Sequence, residues 1–334
     1  MAAPTIYKWT DPSAPQMTRN GTTDIQAIFQ ACLIDGYGSQ TAPVSGTNKW
    51  SIPFSDATSF ILKQGGTKAR KTGVKFYGAS TSGADNYMKV YAAADWTDLS
   101  TPVSPWTSGH SSERVAAGSA SVASYNIPWI IIATERAIFV QFGYNNQQTN
   151  TTMFDTAGGS SMFNGHFFFG DYIPEDNGLL VNQMLTISYY ASTSYRYYCE
   201  NFTYQNSTKS YGYKVVAGNT ANVTGINECE IMHMRPGETA STVMGLTNAD
   251  QQFPGYPNGL NGGLYLDIYR IVSNRSIMGV IPGLMYSIQS RPFNNYGVVQ
   301  EIAGTGTYAG ETIYIFGDYN ATQYYIHDGE WGVE

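Results

Sequence analysis

TTDIQAIFQACLIDGYGSQTAPVSGTNKWSIPF, residues Thr22 to Phe54, contains the cleanest helical spacing in the chain. Ile25, Ile28, Phe29, Cys32 and Leu33 fall at i, i+3, i+4, i+7 and i+8, one face of about three turns. That face is apolar, so the spacing predicts a helix over 23–35 with these five side chains inward. Thr23 is placed as N-cap, Gln26 can reach back to it, and Asp24 favours the positive end of the dipole. Gly36 stands where a left-handed residue would end the helix, and Gly38 keeps the chain turning. A loop of Pro, Ser, Gly, Thr and Asn follows, then Trp50 and the alternating run SIPFSDATSFILKQ, a return into sheet.

Outward from this stretch the pattern is β. TSFILK, VKFYGAS and NYMKVYAAADW are separated by Gly-rich turns and read as a meander. WIIIA and AIFVQF are joined by Thr134-Glu135-Arg136 and read as a tight hairpin. WIIIA lacks alternation, as expected of a strand buried on both faces at the centre of the core. YLDIYRIVSNRSIMGVIPGLMY and TIYIFGDYNATQYYIHDGEW each read as a further strand pair, with Trp331 docking the last turn into a groove. The run from Leu185 to Val216 is rich in tyrosine, including Tyr189, Tyr190, Tyr195, Tyr197, Tyr198, Tyr204, Tyr211 and Tyr213. Such residues suit half-buried sheet, subunit contacts or a sugar-stacking surface. The fold class is therefore all-β with one short N-terminal helix, as an antiparallel β-sandwich or distorted barrel.

The chain divides into four segments. Residues 1–21 are Pro-rich and polar with Trp9 as anchor, and read either as an extended arm over a neighbouring surface or as an ordinary strand of their own domain. Residues 22–144 hold the helix and the meander, and 145–165 form a polar loop or linker. Residues 166–334 hold the aromatic second half of the β body, which can be continuous with the first. The tract from Gly237 to Gly263, rich in Gly, Asn, Pro and Gln, reads as a long binding or draping loop.

Composition narrows the function. Of the 334 residues 42% are hydrophobic and 13% charged, which argues against a disordered chain. A net charge of -7 disfavours general binding to nucleic acid, which needs a basic face. The amino terminus lacks a basic region followed by an apolar one, and no run approaches the ~20 apolar residues of a membrane helix. The expectation is a soluble, untargeted protein. Cys32, Cys199 and Cys229 cannot all pair within one chain and have no metal spacing, so they are expected as free thiols. The Asn-x-Ser/Thr sequons at Asn20, Asn150, Asn201, Asn206, Asn222, Asn274 and Asn320 read as turns.

Three groupings invite a chemical reading. Lys63, Lys68, Arg70, Lys71 and Lys75 crowd one hairpin without phosphate-loop spacing, and read as a solvated tip or a contact for an acidic protein. His166, Asp171, Glu175 and Asp176 are the densest acid/base set, but acids beside Pro174 and Gly178 are expected as turn formers rather than a paired-carboxylate site. Met232, His233 and Met234 alternate along a strand and cannot assemble on one face. No catalytic, cofactor-binding or metal-ligating residue is assigned, and no enzyme is expected.

One family resemblance spans nearly the whole chain. W-x-D-P-x-A-P at Trp9 to Pro15, C-L-I-D-G-Y-G at Cys32 to Gly38, F-G-D at Phe169 to Asp171, G-V-I-P-G-L-M-Y at Gly279 to Tyr286 and D-G-x-W at Asp328 to Trp331 occur in that order. Together they resemble a family of tailed-bacteriophage virion structural proteins. The resemblance implies a tail, baseplate, neck or capsid-decoration subunit, made in the host cytoplasm, whose partners are other virion proteins and copies of itself in a symmetric assembly. The alternative on the same particle is a carbohydrate-binding or glycan-cleaving adhesin for a host surface glycan.

Overall fold

A computed structural model describes residues 2–17, 22–66, 72–79, 86–105, 113–118, 129–142, 165–174, 182–186, 188–189, 213–217, 227–232, 266–273, 276–287, 300–317 and 323–331. The strands are β1 (Thr5–Lys8), β2 (Ser51–Ser55), β3 (Ser59–Lys63), β4 (Gly73–Ala79), β5 (Asn86–Trp96), β6 (Pro102–Pro105), β7 (Glu113–Gly118), β8 (Trp129–Ala133), β9 (Ala137–Phe142) and β10 (Gly165–Asp171). There follow β11 (Ile173–Pro174), β12 (Asn182–Thr186), β13 (Ser188–Tyr189), β14 (Tyr213–Ala217), β15 (Asn227–Met232), β16 (Leu266–Ser273), β17 (Ser276–Ser287), β18 (Gln300–Ala303), β19 (Thr312–Gly317) and β20 (Gln323–His327). Helix α1 (Thr22–Phe29) runs directly into a π-helical turn at Gln30–Asp35.

Among the described residues the strands form two antiparallel sheets. One has the order β13-β7-β5-β4-β3-β2, with β6 beside β5. The other runs β1-β8-β9-β10-β12-β14-β15-β16-β17-β20-β19-β18, with β11 on β17. The long sheet doubles back, so it supplies two layers. Tyr7, Trp129, Ile131, Ala133, Ile138, Val140, Phe142, Phe167 and Phe169 join the core shared with the first sheet. Lys8 and Ile130 are register partners on the opposite face, and there Lys8 meets Glu301 of β18 and lies 5.3 Å over the Tyr314 ring of β19. The β1-to-β12 half is thus the middle of three layers, which is why all of WIIIA and AIFVQF is buried. Neither sheet closes into a barrel; the fold is an all-β sandwich with one short helix.

Helix α1 and its π turn pack in the core between the first sheet and the middle layer. Ile25, Ile28, Phe29, Cys32 and Leu33 are all fully buried, as the spacing predicts. Phe29 meets Phe60 of β3 and Phe76 of β4 on one side, and Phe142 of β9 and Phe167 of β10 on the other, at centroid distances of 5.4–6.5 Å. Three of these four ring pairs are edge-on or nearly so, the geometry the ring quadrupoles favour. The helix starts one residue earlier than predicted, so Thr23 lies exposed in its first turn and the N-cap position falls at Gly21, outside the described residues. Its last turn widens to π, closed by Gly36 N donating to Ala31 O at 2.8 Å. Gly36 has φ +82° and ψ 169°, a turn out of the helix rather than the left-handed cap expected of it.

The amino-terminal segment is part of this body. β1 pairs with β8, Tyr7 and Met17 have no exposed surface, and Trp129 donates from Nε1 to Pro15 O at 3.0 Å. Of the two readings of residues 1–21, Thr5–Lys8 is a strand of this body and the irregular chain after it buries Ala14 and Met17; polar composition concealed anchors that lack any regular period. The proposed linker at 145–165 ends inside β10 at Gly165, and the rest of it lies outside the described residues. β9 and β10 are neighbours, so the halves on either side of it share one sheet.

The meander, the β8–β9 hairpin and the β16–β17 and β19–β20 pairs stand as the sequence predicts. At the β2–β3 turn Asp56 accepts from Thr58 N and Ser59 N, both at 2.7 Å, and these donors, with Thr58 first, hold its carboxyl below the usual carboxylate range.

Replacing Phe29 with Ala should cost about 3 to 5 kcal/mol, measured by denaturant unfolding, because the ring is enclosed on both sides and the site cannot collapse. Truncation of residues 1–17 should abolish cooperative unfolding; a truncated chain that melts like the full one would show that β1 is dispensable.

Candidate functional site

The acid/base set around Asp171 is the densest in the sequence, and the structure makes Asp171 a joint between strands. Asp171 ends β10 with no exposed surface. Its Oδ2 accepts from Arg136 Nε at 2.6 Å and its Oδ1 from Gln64 Nε2 at 2.7 Å. Its own N–H donates to Arg136 O at 3.0 Å, and Gln64 Nε2 also reaches Arg136 O at 2.6 Å. Thr134 O accepts from Trp50 Nε1 at 2.9 Å beside them. The turn-forming role expected of Asp171 is thus wrong: it is a buried ion pair, fixing the tip of the β8–β9 hairpin to the ends of β3 and β10. His166 lies in β10 opposite Gln141, and Glu175 and Asp176 fall outside the described residues.

This joint accounts for F-G-D physically. Phe169 packs its ring at 5.8 Å and 69° against Trp50. Gly170 has φ +138°, and a Cβ there would lie 2.5 Å from Ala137 Cα, so only glycine lets the hairpin turn come this close. Arg136 and Gln64 were missed by sequence reading. The available signal was an arginine in the link of an otherwise apolar hairpin.

Two other landmarks do similar work. Asp11 Oδ2 accepts from Lys8 N at 2.9 Å, Tyr37 OH at 2.8 Å and Gln40 Nε2 at 3.0 Å, so D-P and G-Y-G are fastened to one another. Tyr7 OH donates to Thr41 O at 2.6 Å alongside. Burial, then the neighbouring Cys32, pushes the Tyr7 and Tyr37 hydroxyls well up from ordinary tyrosine values. Burial, then Asp11, pushes the Cys32 thiol up. Cys32 is a free thiol, as expected, and an inert one. Cys199 lies outside the described residues, as does most of the tyrosine-rich run, of which Tyr189 and Tyr213 lie in β13 and β14.

At the carboxy-terminal landmark, Trp331 is buried and donates from Nε1 to His327 O at 2.9 Å. Gly283 has φ +70°, and a Cβ there would lie 2.7 Å from Trp331 Cδ1, so P-G-L and D-G-x-W are two halves of one contact. Asp328 Oδ1 accepts from Thr312 N at 2.7 Å. His327 Nδ1 lies 2.7 Å from Glu311 Oε2, a pair the sequence reading did not anticipate. A His–carboxylate pair is the orienting half of a nucleophilic triad. Here the ring beside it is Tyr308 at 5.2 Å, and the pair pins the turn that carries Trp331.

Of the basic group, Lys63 binds Asp95 at 2.6 Å and Lys75 donates to Leu99 O at 2.8 Å, while Lys68, Arg70 and Lys71 lie outside the described residues. His233, Met234, the tract from Gly237 to Gly263 and the seven sequon asparagines lie outside them as well. The described residues hold no group of three or more His, Cys, Asp or Glu placed to bind a metal ion. No helix among them is long and apolar enough to cross a membrane. No family model matches the chain, and a search of curated proteins finds no match.

Asp171→Ala should destabilise by about 2 to 3 kcal/mol, somewhat below the cost for a fully enclosed pair because Arg136 keeps access to water. Thermal unfolding of the single and Arg136→Met/Asp171→Leu double variants checks this: the double should lose less than the single. Cys32 should resist alkylation in the native chain even above pH 8 and react on unfolding, as read by mass spectrometry.

Proposed function

We propose that the chain is a structural subunit of a tailed-bacteriophage virion that acts through contacts with other virion proteins and with copies of itself. The observation that carries this reading is where the family-resembling landmarks fall. Asp11 with Tyr37, Gly170 with Asp171, and Gly283 with Trp331 each fasten one part of the β body to another. Landmarks that secure a scaffold fit a protein whose task is to hold shape within a larger particle. Chemistry would instead gather reactive groups with open valences.

Composition supports the same reading. Aromatic residues make up 14% of the chain against 13% charged, a balance found where surfaces are covered by other proteins. Of the two contact segments the sequence nominates, residues 1–21 and the tract from Gly237 to Gly263, the first packs in part into the body through β1 and Met17, which leaves the second.

Peptide mass spectrometry of purified particles should detect the chain at a stoichiometry of many copies, and labelled particles should show it at one place. Deleting 238–262 should reduce assembly while the isolated chain still unfolds cooperatively. Absence of the chain from purified particles would overturn the reading.

A further inference from the structure

The described sheet edges are finished in different ways. Antiparallel ladder bonds alternate in direction along a strand, and Trp9 N donates to Trp129 O at 3.1 Å, so Ile6 and Lys8 of β1 turn their backbone groups away from β8. There Ile6 O accepts from Gln40 Nε2, Lys8 N donates to Asp11 Oδ2, and Lys8 O accepts from Asp11 N. β2 carries Pro53, β6 has proline at both ends, β11 ends in Pro174, and β13 is 2 residues long. β18 has neither proline nor a side chain bonded along its backbone. Its ladder to β19 runs from Gln300 opposite Ile315 to Ala303 opposite Thr312, and one step beyond it Gly304 N donates to Glu311 O at 2.8 Å. By the same alternation Gln300 and Ile302 bond toward β19, while Glu301 and Ala303 turn their N–H and C=O groups to the open side. Both residues are exposed, and among the described residues nothing is paired to that side of the strand.

The side chains of β18 suit a strand laid against it. A carboxylate on an edge strand ordinarily discourages pairing, but Glu301 is bonded to Lys8 of its own chain, which neutralises it from within. Ala303, on the same face, adds no bulk. Ile302, on the other face, is half-buried and carries the apolar cluster of Met285, Ile313, Ile315 and Tyr325 out to the edge. We infer that two copies of this chain pair their β18 strands antiparallel about a two-fold axis beside Ile302, joining their long sheets into one. Glu301 N then donates to Ala303 O of the second copy, Ala303 N of the second copy donates to Glu301 O, and symmetry repeats both bonds. Ile302 meets Ile302 of the second copy as the closely spaced, non-hydrogen-bonded pair between them. Charge selects this register, because an axis beside Glu301 would set two carboxylates directly opposite each other. A second copy is the fitting occupant because the edge is complementary to itself, donors facing acceptors and alanine facing glutamate, as a two-fold interface requires. The inference rests on the self-assembly part of the virion reading and names the surface through which it acts.

The test uses the purified full chain and two variants. Light scattering should show the wild-type chain passing from monomer to dimer as its concentration is raised. Ala303→Pro removes an N–H that the monomer's own ladder does not use, so the circular-dichroism spectrum should be unchanged while dimerisation weakens by on the order of tenfold or more, the donor being lost from both copies at once. Ile302→Cys places two thiols across the axis at a spacing a disulfide can bridge. On mild oxidation it should give a covalent dimer whose joined peptides, identified by mass spectrometry, both contain position 302, which separates this bond from any made by the native cysteines. The cross-link does not depend on how Ala303→Pro folds. A wild-type chain that stays monomeric as concentration rises, an Ala303→Pro chain that dimerises as the wild type does, or a Cys at 302 that joins to nothing or to another virion protein would each overturn the inference. Finding the chain within purified particles after any of these results would leave the virion reading standing.

Discussion

Everything in the first half of the molecule depends on a single ring being enclosed. Phe29 projects from a helix of two turns into the space between two sheets, touching aromatic rings of both. Two twisted sheets packed face to face leave a core about 10 Å thick, and their divergence opens gaps at the ends that side chains from the strands cannot fill. A short helix laid into such a gap supplies volume without supplying edges. Full burial of one Phe contributes about 1.5 to 3 kcal/mol from the loss of apolar surface to water, and edge-on ring pairs add to this. The helix would be marginal alone at this length, so its order derives from the sheets, and the sheets' spacing derives from the helix. Such mutual dependence makes the unit cooperative.

Edges are the second constraint. The long sheet terminates in β1 and β18, each of four residues, and the second in β2. Unpaired strand edges invite pairing with other chains, and short strands, prolines and charges blunt them. β2 carries an exposed Pro53 and a register shift between Ser51 and Phe54. β1 has the Gln40 side chain reaching Ile6 O, and its Lys8 bonds Glu301 of β18, so the two end strands of one folded sheet are clasped together. These devices blunt β1 and β2 without closing a barrel.

The β body was legible because its signals are local. Alternation, β-branched runs and Gly turns place β3 to β5, β8 to β9, β16 to β17 and β19 to β20, and apolar spacing alone gives the buried helix face. What the sequence hid was non-local. Asp171 stands near Pro174 and Gly178, where acids usually shape turns, and nothing within a dozen residues hints that its partners are Arg136, 35 positions back, and Gln64, 107 positions back. His327 and Glu311 meet only because β19 and β20 pair. The amino-terminal strand was obscured in another way: Tyr7, Ala14 and Met17 are buried at spacings that match neither a strand nor a helix, because Ser13, at φ +66°, turns the chain between them. Pattern rules cannot reach a segment whose burial is set one residue at a time.

The described acids whose hydrogen bonds reach into the fold have those bonds committed to it. Asp11 takes three donors on one oxygen, Asp171 takes an arginine and a glutamine, Glu311 holds His327, and Asp328 holds the start of β19. A carboxylate so occupied is a poor proton acceptor in mechanistic terms, since a substrate proton would have to displace an existing donor, and a buried donor left without its acceptor costs about 1 to 3 kcal/mol. The charges therefore act as fasteners between segments distant in the chain. Each of these bonds joins residues that the chain order keeps apart, Asp11 to Tyr37 and Gln40, Asp171 to Arg136 and Gln64, Glu311 to His327, so the strands they end are held in place by charge as well as by apolar packing.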